Sequence, residues 1–216
     1  MWEIGTVRVV KNNFRPKLLL ATTNPGKLSE MKDLLGEQWW DLVEPAHLQL
    51  HIEVEETGES YAANATRKAQ AWAAASGCWV LADDSGLEVL ALEGAPGLFS
   101  ARYAGLNRTD AQRREFLLKK LAPYPRPWLA RFVACVALAH PDGFLAVKYG
   151  FCEGEIVPEN RGTMGFGYDP IFLVADSGKT MAELTMQQKN LRSHRARAVK
   201  AILPLLVEKF GPESQL

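Results

Sequence analysis

Trp79-Val-Leu-Ala-Asp-Asp-Ser-Gly86 is the stretch on which the reading of the fold turns. Its first four residues, Trp79 to Ala82, are a short uncharged run that suits a strand buried on both faces. The expected strand ends abruptly at Asp83-Asp84-Ser85-Gly86, and α/β sheets present their ligands at the carboxyl ends of strands. Two adjacent carboxylates are costly unless a cation or hydrogen-bond donors absorb their charge. A hard divalent ion such as Mg2+ does so with one or two protein carboxylates plus substrate phosphates. Neighbouring side chains on a strand point to opposite faces, so one Asp is expected at the metal and the other braces the loop. The same four residues also suit an Asx turn closing the strand.

Upstream, Lys17-Leu-Leu-Leu-Ala21 repeats the pattern of a buried strand, and Thr22-Thr23-Asn24-Pro25-Gly26-Lys27 follows it. Asn24 fits an N-cap and Pro25 the first helical position, with Leu28, Met31, Leu34 and Leu35 at helical spacing. A helix start with open amides, two hydroxyls, an amide side chain and a lysine is an anion site, though it is also ordinary capping. It is not a P-loop, because no GxxxxGK[ST] occurs. Glu55-Glu56-Thr57-Gly58 precedes an alanine-rich helix expected from Ser60 to Ser76 with Gly77 as its C-cap. The acidic pair either favours that helix start electrostatically or supplies a second carboxylate to a metal shared with Asp84.

Downstream, Thr109 is expected to cap a helix through Leu121, stopped by Pro123, Pro125 and Pro127. Arg131 to Ala139 and Phe144 to Phe151 alternate around Pro141-Asp142-Gly143 as a hairpin. Gly165-Phe166-Gly167-Tyr168-Asp169-Pro170 places a stackable ring between glycines that let backbone approach a ligand; a glycine-bulged core strand is the alternative. Lys189 and Ser193-His194-Arg195 gather basic groups at the start of a last helix running to about Phe210, with Pro204 expected to kink it. Basic residues there oppose the helix dipole, and broken local rules tend to mark function. Mixed α/β with a long central sheet is the resulting class.

The 216 residues suit one substantial domain or two lobes sharing a cleft, and 47% apolar with 23% charged residues is ordinary for a globular protein. Lys plus Arg equal Asp plus Glu at 25 each, which gives no general attraction to nucleic acid or acidic membranes. Cys78, Cys135 and Cys152 form no CxxC pair, so neither a disulfide framework nor a zinc site is expected. No targeting segment or membrane span is read, and a cytoplasmic protein is the default. Residues 1–16 read as an N-terminal extension, with Val7 to Val10 a possible edge strand, and 17–216 as a single domain.

Taken in order, these segments, with Gly94-Ala95-Pro96-Gly97 and Ser100-Ala101-Arg102-Tyr103, resemble the inosine triphosphate pyrophosphatase family. The resemblance spans nearly the whole chain from Lys17. It implies an elongated mixed sheet flanked by helices, two lobes around a central nucleotide cleft, and a homodimer. It further implies that Thr22, Thr23, Asn24, Pro25, Gly26 and Lys27 bind the triphosphate. Asp84 would be general base and magnesium ligand, with Glu55 or Glu56 the other metal carboxylate. Ser85, Phe166, Gly167, Tyr168, Asp169, Lys189, His194 and Arg195 would line the nucleotide site. The implied reaction is hydrolysis of ITP, dITP or XTP to the monophosphate and pyrophosphate, with Mg2+ as cofactor and neither nucleic acid nor membrane as partner. Thr23 stands where the family often has glycine, and Gln187-Gln188 where acidic residues are common. A Maf-type pyrophosphatase of modified nucleotides and a nucleotide-binding module without turnover are the alternatives.

Overall fold

The computed structural model describes residues 15–36, 39–48, 50 and 52–211; the strand expected at Val7 to Val10 lies outside them. The chain first forms β1 (Lys17–Leu20), α1 (Pro25–Leu35), β2 (Asp41–Val43) and α2 (Tyr61–Ser76). Next come β3 (Trp79–Val89), β4 (Pro96–Gly97), α3 (Asp110–Leu121), and the long pair β5 (Trp128–Ala139) and β6 (Leu145–Ile156). The chain then runs through β7 (Phe172–Val174), α4 (Met186–Arg192) and α5 (His194–Phe210). The sheet order is β2-β1-β3-β5-β6-β7, with β4 on β3. β1 pairs parallel with β2 and β3, and the remaining ladders are antiparallel.

Capping residues set the helix starts as their chemistry requires. Asn24 Oδ1 accepts from the Gly26 and Lys27 amides at 2.9 and 3.1 Å, and Ser60 Oγ from Ala63 at 3.1 Å. Thr109 and Gln112 form a reciprocal capping box, and α2 ends on Gly77 in the left-handed region. α5 continues beyond Pro204 to Phe210.

Alternation along β3 divides the core. Val80 and Ala82 face α2 together with Leu19, Val133 and Ala137, while Leu81 faces α1 and α5 together with Leu18, Leu20 and Val136. A third cluster gathers Leu87, Val89, Trp128, Ile156 and Phe172 at the far end of the long strands, beneath α3 residues Leu117 and Leu121. β5 and β6 have 12 residues each, about 40 Å of extended chain, so the same strands carry both lobes. α5 lies close on β6 because Gly150 has no side chain: a Cβ there would come 2.1 Å from the His194 carbonyl oxygen and 2.4 Å from the Ala198 nitrogen.

The acid pair does not end β3. The strand continues to Val89, held by a ladder to β5 from Val80 to Val89. On its other edge, β1 ends opposite Leu81 and β4 begins opposite Leu87. Residues 82 to 86 therefore lie beside a gap between β1 and β4, and this gap between the lobes is the cleft.

Candidate active site

Asp83 and Asp84 sit at the middle of that gap and point to opposite faces, as the pleat requires. Asp83, 1% exposed, points toward α1 and α5. Its Oδ2 pairs with Lys27 Nζ at 3.3 Å and accepts from Arg195 Nε and Nη2 at 3.2 and 3.1 Å. Burial alone would raise its pKa; Lys27, Arg195 and Lys68 outweigh burial and hold the carboxyl well below the usual range. Asp84 points toward α2, where its Oδ2 accepts from Asn64 Nδ2 at 2.9 Å and its Oδ1 from the Ser85 amide at 2.9 Å. Burial raises its pKa; the Asn64 hydrogen bond and Lys27 offset this only in part, and Glu56 adds to it.

The segment before α2 is extended, with Ile52, Val54 and Glu56 half-buried and Glu53, Glu55 and Thr57 exposed. Glu56 thus lines the cleft, where its Oε1 meets Lys68 Nζ at 2.5 Å. Glu55 points away from it, and among the described residues only its carbonyl is engaged, by Arg67 at 3.2 Å. Lys68 also donates to the Asp83 carbonyl at 3.2 Å. On the α2 face, among the described residues, only Glu56 is thus ion-paired, to Lys68, while the Asp84 carboxylate is held by Asn64 and the Ser85 amide.

Two cavities meet here. One runs past Thr22, Thr23, Asn24, Lys27, Glu56 and Lys68. The other shares Asn24, Lys27 and Glu56 with it and leads to Asp84, Ser85, Phe166, Gly167, Tyr168, Asp169, Lys189, His194 and Arg195. Most of the site residues expected from the sequence therefore line one continuous cleft. Pro25 is exposed and lines neither cavity, while Gly26 lies under the Phe166 ring, where a Cβ would come 2.3 Å from Cδ1. The expectation of open amides at the start of α1 is corrected: Pro25 has no N–H, and Asn24 takes those of Gly26 and Lys27. Anion donors on this side are the Thr22 and Thr23 hydroxyls and the lysines.

The turn at 165–169 is locked from several directions. Gly165 adopts φ 83°, and a Cβ on it would meet Asp169 Oδ2 at 2.1 Å. Asp169 accepts from the Phe166 amide at 3.2 Å, Asp110 of α3 from the Gly167 amide at 2.7 Å, and Tyr168 donates its hydroxyl to the Ser100 carbonyl at 3.0 Å. Arg113 holds Asp110 at 2.5 Å. Phe166 lies with Lys189 Nζ 5.9 Å and Arg195 Cζ 5.8 Å from its ring centroid. The glycine-rich run is a turn ahead of β7 and not a bulged strand.

Ser193 caps α5, so the helix enters the cleft with His194 and Arg195 buried in its first turn. The His194 ring stacks on Phe132 at 4.7 Å and 14°, its Nδ1 has no partner, and burial, reinforced by Arg195, keeps it neutral far below its usual pKa. Arg195 commits four of its five N–H donors inside the protein, to Asp83, Glu30 and Ser85. Lys189 Nζ lies 2.6 Å from Glu30 and 2.9 Å from Asp169. Lys27, Lys189 and Arg195 thus balance Glu30, Asp83 and Asp169, three charges against three.

Glu30, Asn64, Lys68, Asp110 and Arg113 were not singled out in the sequence. Asn64 and Lys68 carried a usable signal, as two polar residues at i, i+4 in an alanine-rich helix. Among the described residues no group of three or more His, Cys, Asp or Glu side chains is placed to hold a metal ion. None of their helices is long and apolar enough to cross a membrane.

The fold and site define a two-lobed α/β protein whose cleft joins an acidic, lysine-edged pocket to an aromatic one, suited to a ligand bearing both phosphates and a ring. Residues 18–205 match the Ham1 family, and the chain belongs to that family. It is 47% identical to a dITP/XTP pyrophosphatase of Nostoc sp., over 92% of this chain and 98% of that one. It is 45% identical to the dITP/XTP pyrophosphatase of Thermus thermophilus, over 91% and 93% of the two chains. A solved HAM1 protein from Coxiella burnetii superposes with a TM-score of 0.81 at 40% identity, covering 89% of this chain and 99% of its own.

Proposed function

We propose that this protein is a nucleoside triphosphate pyrophosphatase that hydrolyses ITP, dITP and XTP to the monophosphate and pyrophosphate, keeping them out of DNA and RNA. The observation that carries the reading is the placement of Asp84, with no ion-pair partner among the described residues, beside the Glu56–Lys68 pair in a cleft that continues to Phe166, His194 and Arg195. The names of the curated relatives support the same substrates. A pyrophosphatase is favoured over a binding module, which has no use for an underneutralised carboxylate pair.

That pair fits Mg2+, which characteristically takes one or two protein carboxylates and completes its shell with water and phosphate. Asp84 and Glu56 would hold it, and when bound it neutralises phosphate oxygens. Of the two adjacent glutamates, Glu56 takes this role in our reading, which its place in the cleft supports. Thr22, Thr23, Lys27 and Lys68 receive the triphosphate. Asp84, with its pKa raised by burial, takes the proton from the attacking water. Lys27 and Lys68 stabilise charge on the departing pyrophosphate. Phe166 stacks the base, while neutral His194 and the remaining Nη1 hydrogen of Arg195 face its edge. A 6-keto purine satisfies such donors, whereas the amino group of adenine leaves them unpaired.

Residues 17–216 act as one pyrophosphatase domain with 1–16 as an extension, in the cytoplasm, with neither nucleic acid nor membrane as partner. Two copies associate; the sheet face carrying exposed Leu129, Tyr149 and Phe151 supports this. The test is pyrophosphate release from dITP, XTP, dGTP and dATP with Mg2+ and with EDTA. The expected result is turnover of dITP and XTP at least about 100-fold above dATP, lost in EDTA. Failure to hydrolyse any purine triphosphate would sink the reading and bring modified pyrimidines forward.

A further inference from the structure

Glu30 is the least expected buried charge in the molecule. It lies on α1, one turn after Lys27, and is 5% exposed. One carboxylate oxygen meets Lys189 Nζ at 2.6 Å, and the other accepts from Arg195 Nη1. Those cations come from α4 and α5, and both lie within 6 Å of the centroid of the Phe166 ring, at 5.9 and 5.8 Å. Glu30 itself lines the same cavity.

We propose that Glu30 is a positioning residue of the base pocket, a single carboxylate that fixes the spacing of Lys189 and Arg195 beneath the stacked ring. The inference rests on the nucleotide reading of this cleft. A lysine is a flexible point charge and orders itself only against fixed partners. Asp169 supplies one partner for Lys189 and Asp83 one for Arg195, but Glu30 alone touches both. Its placement also leaves one particular Arg195 hydrogen, the second on Nη1, outside the internal network. Loss of the Glu30 charge would free both cations to turn toward other acceptors, and the base would meet donors at variable positions. Binding of the ring then suffers before chemistry at the distant phosphate does.

Ionisation gives a readout that a merely stabilising role would not move. Lys189 is faced by Glu30 from α1, Asp169 from the 165–169 turn, His194 and Arg195 from α5, and more remotely by Lys27 and Asp83. Burial lowers its pKa, and the two carboxylates more than restore it. With Glu30 neutral, only Asp169 remains in contact, so Lys189 loses its proton at a lower pH.

The experiment compares wild type, Glu30→Gln and Glu30→Asp by steady-state kinetics on dITP with Mg2+ from about pH 6 to about pH 11.5, a window that takes in the Lys189 limb, with circular dichroism to verify folding. For Glu30→Gln we expect KM to rise about tenfold with kcat within about threefold, and the alkaline limb of kcat/KM to move down by at least about one pH unit. Glu30→Asp keeps the charge but withdraws it by one methylene, so KM should rise while the alkaline limb stays in place. A folded Glu30→Gln enzyme with wild-type KM and limb overturns the proposal. If Glu30→Gln does not fold, Glu30→Asp decides: a raised KM supports the proposal and a wild-type KM overturns it. A wild-type protein inactive on every purine triphosphate overturns both this inference and the function it rests on. Normal wild-type activity beside unaffected variants overturns the inference alone.

Discussion

Asp83 and Asp84 are consecutive residues of one strand, yet the two faces of β3 treat them in opposite ways. On the α1 and α5 face, Asp83 belongs to a closed ion-pair network in which three carboxylates meet three cations, all but Lys27 buried and one side of it lining the cavity. On the α2 face, beside an open cavity, Glu56 is paired with Lys68 while Asp84 has only hydrogen bonds from Asn64 and the Ser85 amide. Neutralised charges hold elements together, whereas charge left in excess is available to a ligand. The pleat of a strand thus gives opposite charge settings to neighbours whose Cα atoms are about 3.8 Å apart in any trans peptide.

The comparison is most directly broken at Asp84. Asp84→Asn should cut pyrophosphate release by about 10³-fold or more, with little loss of stability, because the amide relieves a carboxylate that burial disfavours. Retained activity would move the base elsewhere on this face. The mirror experiment is Asp83→Asn, which leaves Lys27 and Arg195 short of a buried counter-charge. It should cost about 3–5 kcal/mol in urea denaturation, a penalty Asp84→Asn should not share. Equal stabilities for the two variants would erase the distinction drawn here. A smaller effect sharpens it on the closed face. The folded-state pKa of His194 lies well below 6.5, so below about 6.5 the unfolded chain binds a proton that the native state refuses. Stability should therefore fall as pH drops through this window, by at most about 1.4 kcal/mol per unit. Measured from pH 5.5 to 7.5, that slope should flatten in His194→Asn.

Local chemistry was legible where a residue and its partner are near in sequence. Asn24 and Thr109 cap the helices they were expected to cap, Gly77 closes α2 as expected, and the hairpin turns at 140–144. The mixed α/β class followed from these elements, and the opposite orientation of the acid pair from the pleat. The continuation of β3 was not legible, because Asp-Asp-Ser-Gly has the composition of a turn. Its carboxylates are satisfied by Lys27, Asn64 and Arg195, residues distant in the chain, while β5 supplies the ladder. Glu30 was hidden for the same reason: on α1 alone it reads as a solvent-facing residue, and its partners come 159 and 165 positions later. The choice between Glu55 and Glu56 was nearer to hand, since the inward alternation of Ile52 and Val54 continues to Glu56.

One hydrogen bond in the gap between β1 and β4 gives the site its own reporter. The Ser85 amide donates to Asp84 Oδ1 at 2.9 Å, from the residue just before it, and the Leu87 amide two positions on donates to Ser100 Oγ. Protection of the Ser85 proton against deuterium is then tied to the state of one carboxylate oxygen. When Asp84 takes up a proton or turns that oxygen to a cation, the acceptor weakens and exchange of the amide quickens, while the Leu87 amide keeps its own rate as the internal clock.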